Sequence, residues 1–118
     1  MAVERFEDLE IWQEARALSK VIFQLSKRTP FKNDFKLKNQ IKGSSGSTMD
    51  NIAEGFERNG RKEFLQFLSI AKGSCGETRS QSYRAFDYEY ITRDELNDLV
   101  NECTKLSKKD FFPHELFK

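Results

Sequence analysis

The stretch Gly43-Ser44-Ser45-Gly46-Ser47-Thr48 decides the fold, because it supports two opposite readings. Taken alone it is a flexible linker, since glycine and serine are poor helix formers and a run of them ordinarily separates two structural units. The flanks say otherwise. Leu37, Ile41, Ser45, Thr48, Ile52 and Phe56 step by 4, 4, 3, 4 and 4 residues, so one helical phase runs unbroken through the small residues. Asp34 supplies an N-cap ahead of it. The spacing therefore predicts a helix over about 35–57. Its small centre would let a neighbouring helix axis come close, offsetting roughly 1 kcal/mol of propensity lost at each glycine. Downstream, Ala71-Lys72-Gly73-Ser74-Cys75-Gly76 is equally small, and the two narrow waists are expected to face each other in an antiparallel pair.

Working outward, Leu9, Trp12, Ala15, Leu18, Ile22 and Leu25 form the stripe of a first amphipathic helix, about 8–28, which Thr29-Pro30 ends. A third helix, about 61–89, opens after Asn59-Gly60 with Phe64, Phe67, Leu68, Ala71, Cys75, Thr78, Ser82 and Ala85 inward. Thr92 and Glu95 have capping-box spacing for a fourth, about 93–107, with Leu96, Leu99, Val100, Cys103 and Leu106 inside. The tail, 108–118, has no clean stripe, is interrupted by Pro113 and is expected to be irregular. At 118 residues the chain fits a single domain. The predicted class is all-α, an antiparallel up-down-up-down four-helix bundle.

Composition excludes more than it assigns. With 20 Lys+Arg against 19 Asp+Glu the net charge is +1, so a charged partner must be met by a local patch. No apolar run reaches membrane-spanning length, and the amino terminus lacks the layout of a signal peptide. The expectation is a cytoplasmic protein with no membrane partner. Cys75 and Cys103 lie in helix-like segments and are expected as reduced core thiols. His114 is the only histidine, so no zinc set, triad or Glu-x-x-His motif can be assembled within one chain. Neither a Walker loop nor a dinucleotide fingerprint occurs. Asp50, Glu54 and Glu57 stand at helical spacing without a partner base or nucleophile, as on an ordinary ion-paired helix face. No catalytic residue, metal or cofactor is assigned, and the chain is read as a non-enzyme.

Three groupings invite a role. Asn51, Glu54 and Gly55 sit between Ile52 and Phe56, close to the core. A structural polar network joining the second and third helices, drawn from Asn51, Glu54, Arg58, Glu77 and Arg79, is the ordinary reading, and a ligand pocket the sharper one. Positions 27–42 hold six bases, Lys27, Arg28, Lys32, Lys36, Lys38 and Lys42, against Asp34, while 84–102 hold two bases against six acids. The basic stretch spans the first interhelical turn beside Phe31 and Phe35, and could hold a phosphate backbone. It could also be a solvated face, or meet the acidic run of another copy and set the geometry of a ring. Of eleven phenylalanines, Phe6, Phe31, Phe111, Phe112 and Phe117 lie off the best stripes. They either close the bundle ends or dock between subunits, and self-association is the expectation.

One combination is more specific. Gln40-Ile41-Lys42, then Asn51-Ile52-Ala53-Glu54-Gly55-Phe56, then the run from Glu63 to Ser74 with Glu77, resembles a bacterial four-helix-bundle family. Its members include proteins encoded in intervening sequences of 23S ribosomal RNA genes, often labelled S23, and the accessory variability proteins of diversity-generating retroelements. Phe6, Leu9, Trp12 and Ala15 fit it too, and the similarity covers roughly 6–106. The resemblance implies a bundle assembled as a homopentameric ring, with a retroelement branch that pairs with a reverse transcriptase and binds nucleic acid through a basic surface. The aromatic, proline-broken end departs from the amphipathic continuation of the fourth helix that the family pattern implies. The expected function is thus a non-enzymatic, self-assembling bundle offering its basic end to RNA or DNA. A protein adaptor, for example for a reverse transcriptase, is the alternative.

Overall fold

A computed structural model describes residues 3–110. A 3₁₀ turn, Phe6–Asp8, leads into α1 (Glu10–Ser26). A second 3₁₀ turn, Phe31–Asn33, precedes α2 (Phe35–Glu57), and α3 (Arg61–Asp87) and α4 (Arg93–Lys105) follow. No strand occurs among the described residues. The chain leaves α4 through a π-helical turn, Leu106–Asp110, where the sequence predicts irregular structure from 108. Phe111, Phe112 and Phe117 lie outside the described residues.

Contacts between helices run in opposite numerical directions, as an up-down-up-down path requires. Along α2 and α3 the partners are Gln40 with Arg84, Ser44 with Thr78, and Ser47 with Ser74. Between α1 and α4, Arg28 meets Glu95 at one end and Glu14 meets Lys105 at the other. At the α3–α4 turn the Arg93 guanidinium lies 4.5 Å from the Phe86 ring centre. Further along, the buried Cys75 thiol donates to the Cys103 carbonyl at 3.6 Å.

Positions 43–48 are continuous helix, and the seam between α2 and α3 is lined with hydroxyls. Ser44, Ser45, Thr48, Ser74, Thr78 and Ser82 are all buried. A buried hydroxyl is costly unless bonded, and each of these is bonded. Ser45, Thr48, Thr78 and Ser82 return their protons to carbonyls one turn back at 2.8–3.1 Å. Ser44 Oγ lies 2.8 Å from Thr78 Oγ1 and 2.6 Å from Gln81 Oε1, joining the two helices. Ile41, Ile52, Leu68 and Ala71 of α2 and α3 are buried in one core cluster with Leu18 and Ile22 of α1 and Leu99 of α4.

The glycines do not do what the sequence suggests. A Cβ built at Gly43, Gly46, Gly73 or Gly76 would meet no atom within 4 Å, so these residues face away from the seam instead of forming it. At 100° per residue, the phase that turns 44, 45 and 48 inward turns 43 and 46 outward. Close approach instead happens at Gly55, where a Cβ would stand 2.5 Å from Phe67 Cβ.

Caps hold the turns. Asp34 Oδ1 accepts from Leu37 N at 3.0 Å, and Thr92 with Glu95 forms the full capping box. The end of α3 is a Schellman turn, with Tyr90 N donating to Ala85 O and Glu89 N to Phe86 O. Glu89 takes the left-handed position, φ 65°. Phe31, expected off the core, is buried to 1% exposure and stacks on Tyr90 at 5.0 Å, so it closes the bundle end rather than docking outside it. Phe6 packs edge-on against Trp12.

Candidate nucleic-acid interface

Between positions 16 and 49 the sequence holds eight bases and a single acid, Asp34. Because α1 and α2 run antiparallel, the hairpin folds this segment back on itself and concentrates the charge on one side of the bundle. Lys20 and Phe23 of α1 and Lys27 at its C-cap share a face at i−3, i and i+4, and Phe35, Lys38 and Lys42 share a face of α2 at i, i+3 and i+7. The two faces meet across a groove of about 340 Å³ lined by Ser19, Lys20, Phe23, Gln24, Lys42 and Ser45. Lys27 Nζ and Lys42 Nζ, one from each helix, lie 5.2 Å and 5.4 Å from the centre of the Phe23 ring. Lys38 Nζ lies 4.7 Å from the centre of Phe35. Both rings are open to water, Phe23 at 45% and Phe35 at 66% exposure.

The six bases singled out in the sequence do not act as one patch. Lys27, Lys38 and Lys42 gather on the face just described. Arg28 is taken: its guanidinium donates both arms to the Glu95 carboxylate at 2.7 Å. This bond raises the Arg28 pKa and, with Thr92 N–H also donating, pushes Glu95 from an ordinary 4.5 down to about 2. The basic and acidic runs thus meet within one chain, at this end of the bundle. Lys32 is exposed in the 3₁₀ turn. Lys36 lies in the first turn of α2 on the flank of Gln40, which accepts from Arg84 Nη1 at 3.1 Å. Asp34 is held below the usual carboxylate range first by the Leu37 N–H and the Tyr90 hydroxyl, with Arg84 and Lys36 adding to the effect. Lys32 and Lys36 therefore sit at the rim, toward the acidic side.

The polar network also differs from expectation. Asn51 Nδ2 donates to Ser47 O and Ser47 Oγ, and Ser74 Oγ donates to Ser47 Oγ at 3.2 Å, so Asn51 does connect to α3. Glu54 instead pairs with Arg58 one turn along the same helix, both about half exposed. Glu77 is exposed and makes no bond to α2, and Arg79 reaches Thr104 of α4. The polar link between α2 and α3 is made by hydroxyls and amides, Ser44 with Thr78 and Gln81 and Ser47 with Ser74, and not by these carboxylates. Two site residues escaped the sequence reading, Lys20 and Phe23. Their signal was present: Phe23 stands next to the inward Ile22, off the stripe, with bases three before and four after it.

Among the described residues no three His, Cys, Asp or Glu side chains are grouped to hold a metal. No helix among them is long and apolar enough to cross a membrane. The arrangement suits the binding of a flexible polyanion with flat groups, through ammonium donors beside exposed rings.

A family model described as 23S rRNA-intervening sequence protein matches residues 7–109. A crystal structure of a protein of unknown function from the S23 ribosomal protein family of Bacteroides thetaiotaomicron is similar in fold, with a TM-score of 0.79. The two are 24% identical over 92% of this chain and 99% of the other. No curated protein matches the chain.

Proposed function

The chain belongs to the 23S rRNA-intervening sequence protein family, and from that premise we propose that it is a non-enzymatic, self-assembling bundle that binds RNA through the α1–α2 lysine face. The observation that carries this reading is the placement of Lys20, Lys27, Lys38 and Lys42 on one side of the α1–α2 hairpin, where the only acid between positions 16 and 49, Asp34, is already engaged by Leu37 N and Tyr90. Arg28, by contrast, is left out of the binding surface by its bond to Glu95.

Self-assembly draws on the helical glycines of α2 and α3, of which Gly46 borders the lysine face one turn beyond Lys42. Gly43, Gly46, Gly73 and Gly76 face open space at a helix-propensity cost of roughly 1 kcal/mol each, which close approach by another copy would offset. Exposed Ile70 stands one turn from Gly73, and exposed Tyr83 two turns from Gly76. Resemblance to the family suggests a homopentamer, which light scattering of the pure protein tests. These same apolar side chains favour the second reading, an adaptor for a partner protein such as a reverse transcriptase.

A salt titration of RNA binding separates the two. Neutralising four phosphates on a single strand gives a log–log slope of about −2.8, hence a loss of about 50-fold between about 50 and 200 mM salt. Lys27→Glu with Lys42→Glu is expected to remove most of the affinity, and Lys36→Glu, at the rim, much less. An adaptor indifferent to nucleic acid would show no binding even at low salt.

A further inference from the structure

We propose that the α1–α2 face takes single-stranded nucleic acid in preference to duplex, with Phe23 and Phe35 as stacking platforms for unpaired bases. This inference rests on the RNA-binding reading above and adds the strandedness of the ligand and the residues that sense it.

The argument begins with what the two rings cost. A phenylalanine left half in water forfeits the stabilisation of burial, and this chain leaves two of them on its most basic surface. Neither ring is a stray residue of a core stripe, since the inward positions beside them are filled by Ile22 and Leu37 at 1% exposure each. Each is bordered by ammonium groups, two at Phe23 and one at Phe35. An ammonium resting over an exposed ring is weakly held. When a phosphate arrives, the flexible lysine stem can swing to it and uncover the ring face, so the same contact keeps the ring poised and the charge available.

Spacing supports a strand laid along α2. Phe35 and Lys42 are seven residues apart, about 10 Å at 1.5 Å per residue, and Lys42 reaches across the groove to Phe23. That distance matches about three bases stacked at 3.4 Å. Ser19 and Gln24 line the groove between and offer hydrogen bonds to base edges or ribose. In a duplex the bases are stacked on one another and the rings would find no partner, leaving only the phosphate contacts. An acidic peptide could pair with the lysines, but it would make no use of flat rings in this arrangement.

Fluorescence anisotropy of the full chain tests the idea, using a labelled single-stranded RNA of about twelve bases and the same sequence annealed to its complement. The single strand is expected to bind more tightly. Phe23→Ala and Phe35→Ala should each weaken it roughly tenfold while leaving duplex affinity and the salt slope unchanged, and Phe23→Tyr should retain it. Both side chains are exposed, and circular dichroism confirms that the variants keep their helices. Duplex binding as tight as single-strand binding, or single-strand binding indifferent to both alanine substitutions but lost on Lys27→Glu with Lys42→Glu, overturns the proposal and leaves the RNA-binding reading standing. Absence of binding to either form at low salt overturns both.

Discussion

Replacing Gly55 with alanine sets a new Cβ 2.5 Å from Phe67 Cβ and 3.1 Å from Phe64 Cδ1. Carbon atoms in ordinary contact sit about 3.5–4.0 Å apart. Phe67 Cβ is fixed to its backbone, so no rotamer relieves the clash, and α2 and α3 must separate by about 1 Å at this level. Overpacking of this kind costs about 1–3 kcal/mol, against which alanine recovers about 0.8–1.0 kcal/mol of helix propensity. The net expectation is a destabilisation of up to about 2 kcal/mol. Gly43→Ala is the matched control, because its added methyl meets nothing within 4 Å. Only propensity acts there, and the variant should be more stable by about 0.5–1 kcal/mol. Urea unfolding followed by helical circular dichroism reads both, at one protein concentration because assembly makes midpoints concentration-dependent. Gly55→Ala gaining as much stability as Gly43→Ala would refute the seam geometry. So would a Gly43→Ala loss equal to that of Gly55→Ala at every concentration, whereas a loss that grows with dilution reports on assembly.

Other consequences are as direct. Glu95 has its pKa lowered to about 2 in the fold, so its contribution is present above about 4.5 and is lost as pH falls toward 2. At about 1.4 kcal/mol for each pH unit the full displacement would be worth about 3 kcal/mol. The side chains of Glu95 and Arg28 remain 27% and 46% exposed, and screening reduces this to about 1 kcal/mol. Glu95→Gln should lower stability by about that amount at pH 7 and flatten the acid limb of the unfolding profile. Glu89 occupies a left-handed position at φ 65°, so Glu89→Gly should raise the unfolding free energy by about 0.5–1 kcal/mol in the same urea assay.

Much of the architecture was legible because it rests on local rules. Apolar spacing located all four helices, Asp34 and Thr92 announced their caps, and the phase through 43–48 outweighed the linker-like composition. The stripes put Ser45, Thr48, Cys75, Thr78 and Ser82 inward, but they do not show that Ser44 and Ser74 join them or that Gly43, Gly46, Gly73 and Gly76 face open space. The candidate site shows the same limit. A count of bases over 27–42 finds the right segment, but Arg28 is removed from it by Glu95, 67 positions away, a pairing that no local pattern contains. Lys20 and Phe23 join it only because the hairpin folds α1 against α2. Phe31 and Phe35, four residues apart and equally aromatic, part company because Tyr90 stacks on one, while the other has the Lys38 ammonium beside it and stays exposed.

Photo-crosslinking of single-stranded RNA to the native protein, with peptides mapped by mass spectrometry, tests the assignment of the binding face most directly. The account predicts adducts concentrated on the α1 and α2 peptides that hold Lys20, Phe23, Lys27, Phe35, Lys38 and Lys42. Adducts centred on the amino-terminal end of α3, around Arg61, Lys62 and Leu65, with the α1–α2 face unmarked, would contradict it.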